Sequence, residues 1–219
     1  NKAIPLRILL TPYANELRLK ICLGHDDPEE TLQAVLQEKW HALANNYCDE
    51  KGVNVLMTHL FVIKKGSELP EEPADEKPIL HIGGAQAIHT ENIPAKIQYT
   101  ALGHLHRMHR VDSEPCPVYY CGSPLSYSFA EADQEKFVLL IEAEPGQKAS
   151  IKEIRLKCGK KLLRKKAFGM EEAVAWLTEN QDSLVELTLV TDTFLTAPER
   201  KQLSAVHNGI IALIPEVRN

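Results

Sequence analysis

A strand that runs into Gly-His-x-His constrains this chain more than any other stretch. Ile97–Leu102, read I-Q-Y-T-A-L, is a short apolar run of strand length. Gly103 ends it, and His104 and His106 follow with one residue between them. In extended backbone the two histidines would point the same way, about 7 Å apart. A strand of an open α/β sheet delivers such residues just beyond its carboxyl end, where ligands bind. Neutral imidazole is a good ligand for zinc, manganese and iron. By itself, though, His-x-His equally suits a surface position or a satisfied place in the core.

A second stretch repeats the arrangement. Val53, Val55 and Met57 alternate with Asn54, Leu56 and Thr58, as in a strand, and His59 falls at its end. Two strands each ending in histidine predict three imidazoles converging on one edge of a sheet. On periodicity alone, two unrelated strand-end histidines account for the pattern as well.

The chain around these strands reads as layered α/β. Pro5–Leu10 predicts a strand with Thr11-Pro12 as its turn. Asp27 as N-cap, Pro28 and Glu30 open a helix over roughly 28–48. Leu32, Val35, Leu36, Leu43 and Tyr47 keep its apolar spacing; Trp40 suits packing and His41 the surface. Glu68–Pro78 carries five acids and three prolines and predicts a solvated loop, not a metal cluster. The Gly83-Gly84 that follows lacks the surroundings of a phosphate loop and reads as a turn. Pro117–Cys121, Phe137–Glu142 and Ser150–Leu156 predict strands, the last two joined by a Pro145-Gly146 turn. Ser123 has neither a Gly-x-Ser-x-Gly elbow nor a triad context, which excludes a serine hydrolase.

Between Lys152 and Lys166 stand eight lysines or arginines and one acid. Such a run serves either as an edge that resists aggregation or as a contact to phosphates. Lys160, Lys161 and Lys165 are the candidate DNA contacts. Only Phe168 is interleaved, which argues against a stacking platform. Beyond it, Met170, Val174 and Leu177 predict a short helix, and Val185, Leu187 and Leu189 a strand. Thr196 with Glu199 forms a capping box for a second helix that buries Leu203 and Val206 and stops at Gly209; Ile210–Ile214 is another strand. This is material for a small second domain, with domains expected at 1–157 and 158–219.

Composition narrows the classes. The chain has 219 residues and 44% hydrophobic content, enough for a core. No run approaches the ~18 apolar residues of a membrane span, and no signal peptide opens the sequence. Five cysteines, odd in number and without Cys-x-x-Cys, read as reduced thiols of a cytoplasmic protein. The net charge of −5 argues against a basic protein that coats nucleic acid, but not against a nuclease.

Gly-His-x-His after one strand, with Thr-His at the end of an earlier one, resembles the last two metal motifs of the calcineurin-like metallophosphoesterases. M-T-H-L-F-V (57–62), A-L-G-H-L-H-R (101–107) and C-G-S-P-L-S-Y-S-F-A-E-A-D-Q-E-K (121–136) extend the resemblance. They point to the SbcD type of bacterial nuclease subunit, and T-D-T-F-L-T-A-P-E-R-K-Q-L to I-P-E-V (191–217) carries it nearly to the end. The resemblance implies an α/β fold: the C-terminal half of an α/β/β/α sandwich followed by a small α/β capping domain. It implies hydrolysis of DNA phosphodiesters at ends and hairpins, in repair and recombination, with two divalent metal ions, manganese above all. His59 and His104 would hold one ion and His106 the other; His109 is extra to the motif. The implied partners are DNA and an SbcC-like ABC-type ATPase, and the resemblance admits a homodimer.

The family's earlier motifs, Asp-x-His, Gly-Asp-x-x-Asp and Gly-Asn-His-Asp, do not occur; the one His-Asp is His25-Asp26, after Leu23-Gly24. The sequence begins at Asn1 without methionine, so it reads as a portion of a longer protein, catalytically inactive alone, with the ATPase contact beyond Asn219. Alternatives are another calcineurin-like phosphoesterase and a non-catalytic interaction module.

Overall fold

The structure is a computed structural model that describes residues 3–13, 32–68, 87–132 and 134–218. The helix start at 27–31, His25-Asp26, most of the acidic loop and Gly83-Gly84 lie outside the described residues. The chain divides into two compact units: Asn1–Pro124 with Lys136–Leu156, and Lys157–Asn219 with Leu125–Glu135.

The first unit is built on a five-stranded sheet. Its strands are β1 (Leu6–Thr11), β2 (Val53–Thr58), β5 (Tyr99–Leu102), β6 (His109–Asp112) and β7 (Val118–Tyr120), in the order β1-β2-β5-β7-β6. β1, β2, β5 and β7 are parallel; β6 alone runs antiparallel, against β7. Two short strands, β3 (Val62–Ile63) and β4 (Ile88–His89), pair in parallel beside it. The mixed α/β architecture with a parallel-strand sheet follows the expectation from sequence. β6 does not: four residues with one apolar side chain, Val111, carry no strand pattern. Pairing with β7 makes them one.

One helix, α1 (Leu32–Tyr47), covers one face. Its buried residues are Leu32, Val35, Leu36, Trp40 and Ala44, which meet Leu9, Leu56, Leu102, Val118 and Tyr120 in the core. The predicted apolar stripe needs correction at its end. Leu43 and Tyr47 are exposed, and Trp40 and Ala44 take the inward places. A helix advances 3.6 residues per turn, so the row 32-36-40-44 keeps one heading and 43 and 47 turn away. Trp40 also donates its indole N–H to the Thr11 hydroxyl at 2.9 Å, holding the end of β1.

On the other face a hairpin of β8 (Phe137–Glu142) and β9 (Ser150–Arg155) places Leu139 and Ile151 against Tyr99 and Tyr119. Leu6, Ile8, Leu10 and Met57 on that same face are exposed near the β1 edge.

The amino-terminal ends of the strands are tied by amides. The buried Asn54 amide group donates to the carbonyls of Asp49 and Lys96 at 2.9 and 3.1 Å. Its backbone N–H donates to the Gln98 side chain at 2.8 Å, and Gln98 donates to the carbonyls of Glu144 and Gln147. Buried amides cost stability unless bonded, and these are bonded.

The second unit has a parallel sheet of β10 (Lys161–Phe168), β11 (Ser183–Thr191) and β12 (Ile210–Val217). Helices α2 (Met170–Glu179) and α3 (Ala197–Val206) pack Ala173, Leu177 and Leu203 against Val185, Leu187 and Leu189. The α3 capping box forms as read from sequence: the Glu199 N–H donates to the Thr196 hydroxyl and the Thr196 N–H to the Glu199 carboxylate. The basic run is only partly linker. Its second half is β10, an edge strand paired with β11 along its whole length.

Asp112, the last residue of β6, ties that strand to its neighbours. It accepts from Lys64 Nζ at 3.1 Å, the Thr90 hydroxyl at 2.8 Å and the Ser113 N–H at 2.8 Å. Burial pushes its pKa up, but the bonds from Thr90, Ser113, Lys64 and Glu114 more than offset this, and the pKa is lowered. A carboxyl whose pKa is lower folded than unfolded stabilises the fold above its unfolded pKa, about 3.9. That stabilisation is lost as pH falls through the folded value. Asp112→Asn is therefore expected to cost about 1–3 kcal/mol at pH 7, with the difference from wild type shrinking as pH falls below about 4. Urea unfolding of both proteins over a series of pH values checks this; a loss that does not change with pH would contradict it.

Candidate metal centre

The parallel ladder decides which residues meet at the site. Thr11 is in register with Thr58, Thr58 with Leu102, and Leu102 with Tyr120. Four strands thus end level, and the residues just past them gather on one edge: Tyr13, His59, Gly103-His104 and Gly122-Ser123. Cross-bonds hold the line beyond the strands. The His59 N–H donates to the Thr11 carbonyl at 3.2 Å and the Gly103 N–H to the Thr58 carbonyl at 2.9 Å.

His59 and His104 come together, two of the three imidazoles expected on this edge. Their ring centroids lie 5.5 Å apart at 73°, an edge-to-face pair. His59 is exposed and His104 half-buried. Gly103 permits the approach, since a Cβ there would stand 2.7 Å from His59 Nδ1. His104 itself has φ of 105°, an uncommon conformation for a residue with a side chain, and one that strains the turn. Burial lowers the His104 pKa, and so do the charges of His59 and His106. The imidazole is thereby kept neutral, which is the form that ligates a metal.

His106 is exposed and lies on the same turn, close enough for its charge to act on His104. Among the described residues no three His, Cys, Asp or Glu side chains converge closely enough to hold an ion. The described donors fit a metal as a pair of imidazoles. Any carboxylate donors would lie outside the described residues.

Tyr13 is the site residue that sequence reading misses. Its ring stacks on His104 at 6.1 Å and 19° and meets the His59 ring edge-on at 5.6 Å. Its only signal in sequence is its position just after a strand and Pro12. His109 is not among the converging rings. It stacks on the buried Tyr120 at 5.0 Å and belongs to β6.

The three candidate lysines belong to the second unit, and three neighbouring basic residues of the run, Arg164, Lys165 and Lys166, are matched by acids. Lys165 Nζ lies 2.6 Å from Glu172, Arg164 Nε 2.7 Å from Glu186 and Lys166 Nζ 2.7 Å from Glu216. The Lys165 bond, with that from the Phe168 N–H, lowers the Glu172 pKa. Lys160 and Lys161 are exposed.

No family model matches the chain. The SbcD component of nuclease SbcCD from Bacillus subtilis (strain 168) is 30% identical over 210 residues, 93% of this chain and 52% of the relative. The chain is SbcD-like. The SbcD component of nuclease SbcCD from Escherichia coli (strain K12) is 28% identical over 127 residues, 56% of this chain and 31% of the relative. The chain spans about half the length of the Bacillus subtilis SbcD that it matches. Its parallel sheet under a helix layer agrees with the C-terminal half of a metallophosphoesterase.

Gly103→Ala tests the histidine pair directly. The added methyl is expected to turn the His59 ring away, leaving the backbone unstrained. Imidazole NMR resonances of His59 and His104 should both shift, with the strand amides unmoved. Unchanged ring resonances would mean that the two rings are not in contact.

Proposed function

We propose that the protein is a nuclease subunit of the SbcD type, a metal-dependent phosphodiesterase acting on DNA ends and hairpins in repair and recombination. The observation that carries this is the meeting of His59 and His104 at the carboxyl edge of a parallel sheet, from strands more than forty residues apart in sequence. Similarity to SbcD along 93% of the chain supports it.

His59 and His104 would hold one divalent ion and His106 the other, with manganese the preferred metal. When bound, the pair of ions would supply an acidified water and neutralise charge on the phosphate. The chain's own part is to present neutral imidazoles in a fixed direction. Tyr13 orients the His104 ring by stacking, and the turn after β5 sets where His104 and His106 point. Three imidazoles shared by two ions leave each short of the four to six donors that such metals take. The 219 residues by themselves are therefore expected to bind manganese weakly and to leave DNA uncut. The active species also contains the carboxylate motifs, and an SbcC-like ATPase is its partner in the cytoplasm. Among the described residues no helix is long and apolar enough to cross a membrane.

In the protein carrying all the motifs, His59→Ala, His104→Ala and His106→Ala should each abolish manganese-dependent cleavage of DNA ends. Folding should hardly change, because these side chains stand at strand ends outside the core. Near-normal cleavage by His104→Ala at saturating manganese would remove the site assignment. Hydrolysis of a small phosphate ester with DNA left intact would instead favour a different phosphoesterase.

Lys160, Lys161 and Lys165 are proposed to meet DNA phosphates, Lys165 only when its bridge to Glu172 opens. Replacing the three with glutamine should weaken DNA binding at low salt. The salt slope should drop by about 0.9 for each phosphate left without its lysine. Binding isotherms at several salt concentrations give the slope, and superimposable lines would confine these lysines to the sheet edge.

A further inference from the structure

Three donors converge on one atom beside the candidate site, the carbonyl oxygen of His106. The Ser123 N–H donates to it at 3.1 Å, the Ser123 hydroxyl at 3.4 Å and Lys136 Nζ at 3.3 Å. Lys136 donates as well to the Ser123 hydroxyl, at 3.0 Å. A carbonyl oxygen has two lone pairs, so three donors saturate it. His106 lies between β5 and β6, so the sheet ladder does not require these bonds.

The residue before Ser123 shows how close the two backbones stand. Gly122 has φ of +74°, and a Cβ there would lie 2.7 Å from the same His106 oxygen and 2.9 Å from the Met108 nitrogen. Only glycine fits this contact. At the other end of the turn, His104 holds its strained φ of 105°. A strained residue keeps its conformation only when its surroundings over-determine it. The bonds to His106 are such surroundings, and the one from lysine carries a full positive charge.

We propose that Lys136 and Ser123 are positioning residues for the metal-binding turn. They pin the His106 carbonyl and so fix the directions in which His104 and His106 present their imidazoles. The proposal rests on the metal-centre reading above and adds two residues to it. Ser123, with no part as a nucleophile, becomes a relay that accepts from Lys136 and donates to the turn. The Gly122-Ser123 step and Lys136, far apart in the stretch 121–136, then serve one purpose.

The test uses Lys136→Met, which keeps the length and apolar stem of the side chain but removes the donor. Lys136→Arg restores charge and donors, and Ser123→Ala leaves the Ser123 N–H bond in place. Amide hydrogen exchange over 103–109 is followed by mass spectrometry without metal. Manganese uptake is followed from the electron paramagnetic resonance signal of the free ion, both in this chain and in the protein carrying all the motifs. Lys136→Met should speed exchange of this segment about tenfold or more, with the thermal midpoint nearly unchanged. Ser123→Ala should do less, and Lys136→Arg should recover most of the protection. Manganese affinity should fall roughly 10–100-fold in Lys136→Met, as is usual when a group that orients metal ligands is removed, and should recover in Lys136→Arg. Equal exchange in Lys136→Met and wild type would overturn the proposal. So would faster exchange spread over the whole sheet, or undiminished manganese affinity where wild type binds. If neither wild-type form takes up manganese, the metal reading fails by itself, and the exchange data still decide whether the turn is pinned.

Discussion

The register of four parallel strands is the constraint on which the site depends. β1, β2, β5 and β7 end level because their backbone bonds lock Thr11, Thr58, Leu102 and Tyr120 side by side. A slip of one residue in any of them would turn its inward side chains outward. Leu9, Leu56, Leu102 and Val118 would then leave the core under α1. The apolar core therefore fixes the register, and the register fixes where Tyr13, His59 and His104 stand. Nothing about the imidazoles themselves draws them together, since two neighbouring histidines repel when charged and gain little when neutral.

The two ends of this sheet are treated in opposite ways. At the amino-terminal end Asn54 and Gln98 have their polar groups bonded to backbone. Among the described residues these bonds serve cohesion at that end. At the carboxyl end the chain accepts a strained His104 and an exposed His59. The cost is offset nearby, by the Trp40 bond to Thr11, the glycines at 103 and 122, and the donors gathered on His106. Such a division of labour is usual where a rigid scaffold carries a reactive edge.

The second unit follows local rules more closely. Its helices and strands alternate, its capping box forms, and its apolar stripe of Val185, Leu187 and Leu189 is buried. The departure is electrostatic. Within a run that reads as unmatched positive charge, Arg164, Lys165 and Lys166 meet Glu186 on β11, Glu172 on α2 and Glu216 on β12. Those acids lie up to fifty residues away in sequence, so charge counting along the chain overstates the free charge. Lys160 and Lys161 precede or open the strand and stay exposed.

By itself the sequence determined the layered α/β class, most of the strands, the α3 cap and the histidines at strand ends. These rest on periodicity, capping and turn chemistry, which act over a few residues. It also carried a resemblance strong enough to point to SbcD. Tertiary structure alone decided the remainder. β6 exists because β7 offers it a partner. Trp40 and Ala44, not Leu43 and Tyr47, face the core because the sheet selects one line of the helix. Tyr13 joins the histidines because β1 ends level with β2 and β5, a fact of register that no local pattern encodes. Lys136 reaches His106 from thirty residues away because a hydrogen bond depends on distance in space and is indifferent to separation along the chain.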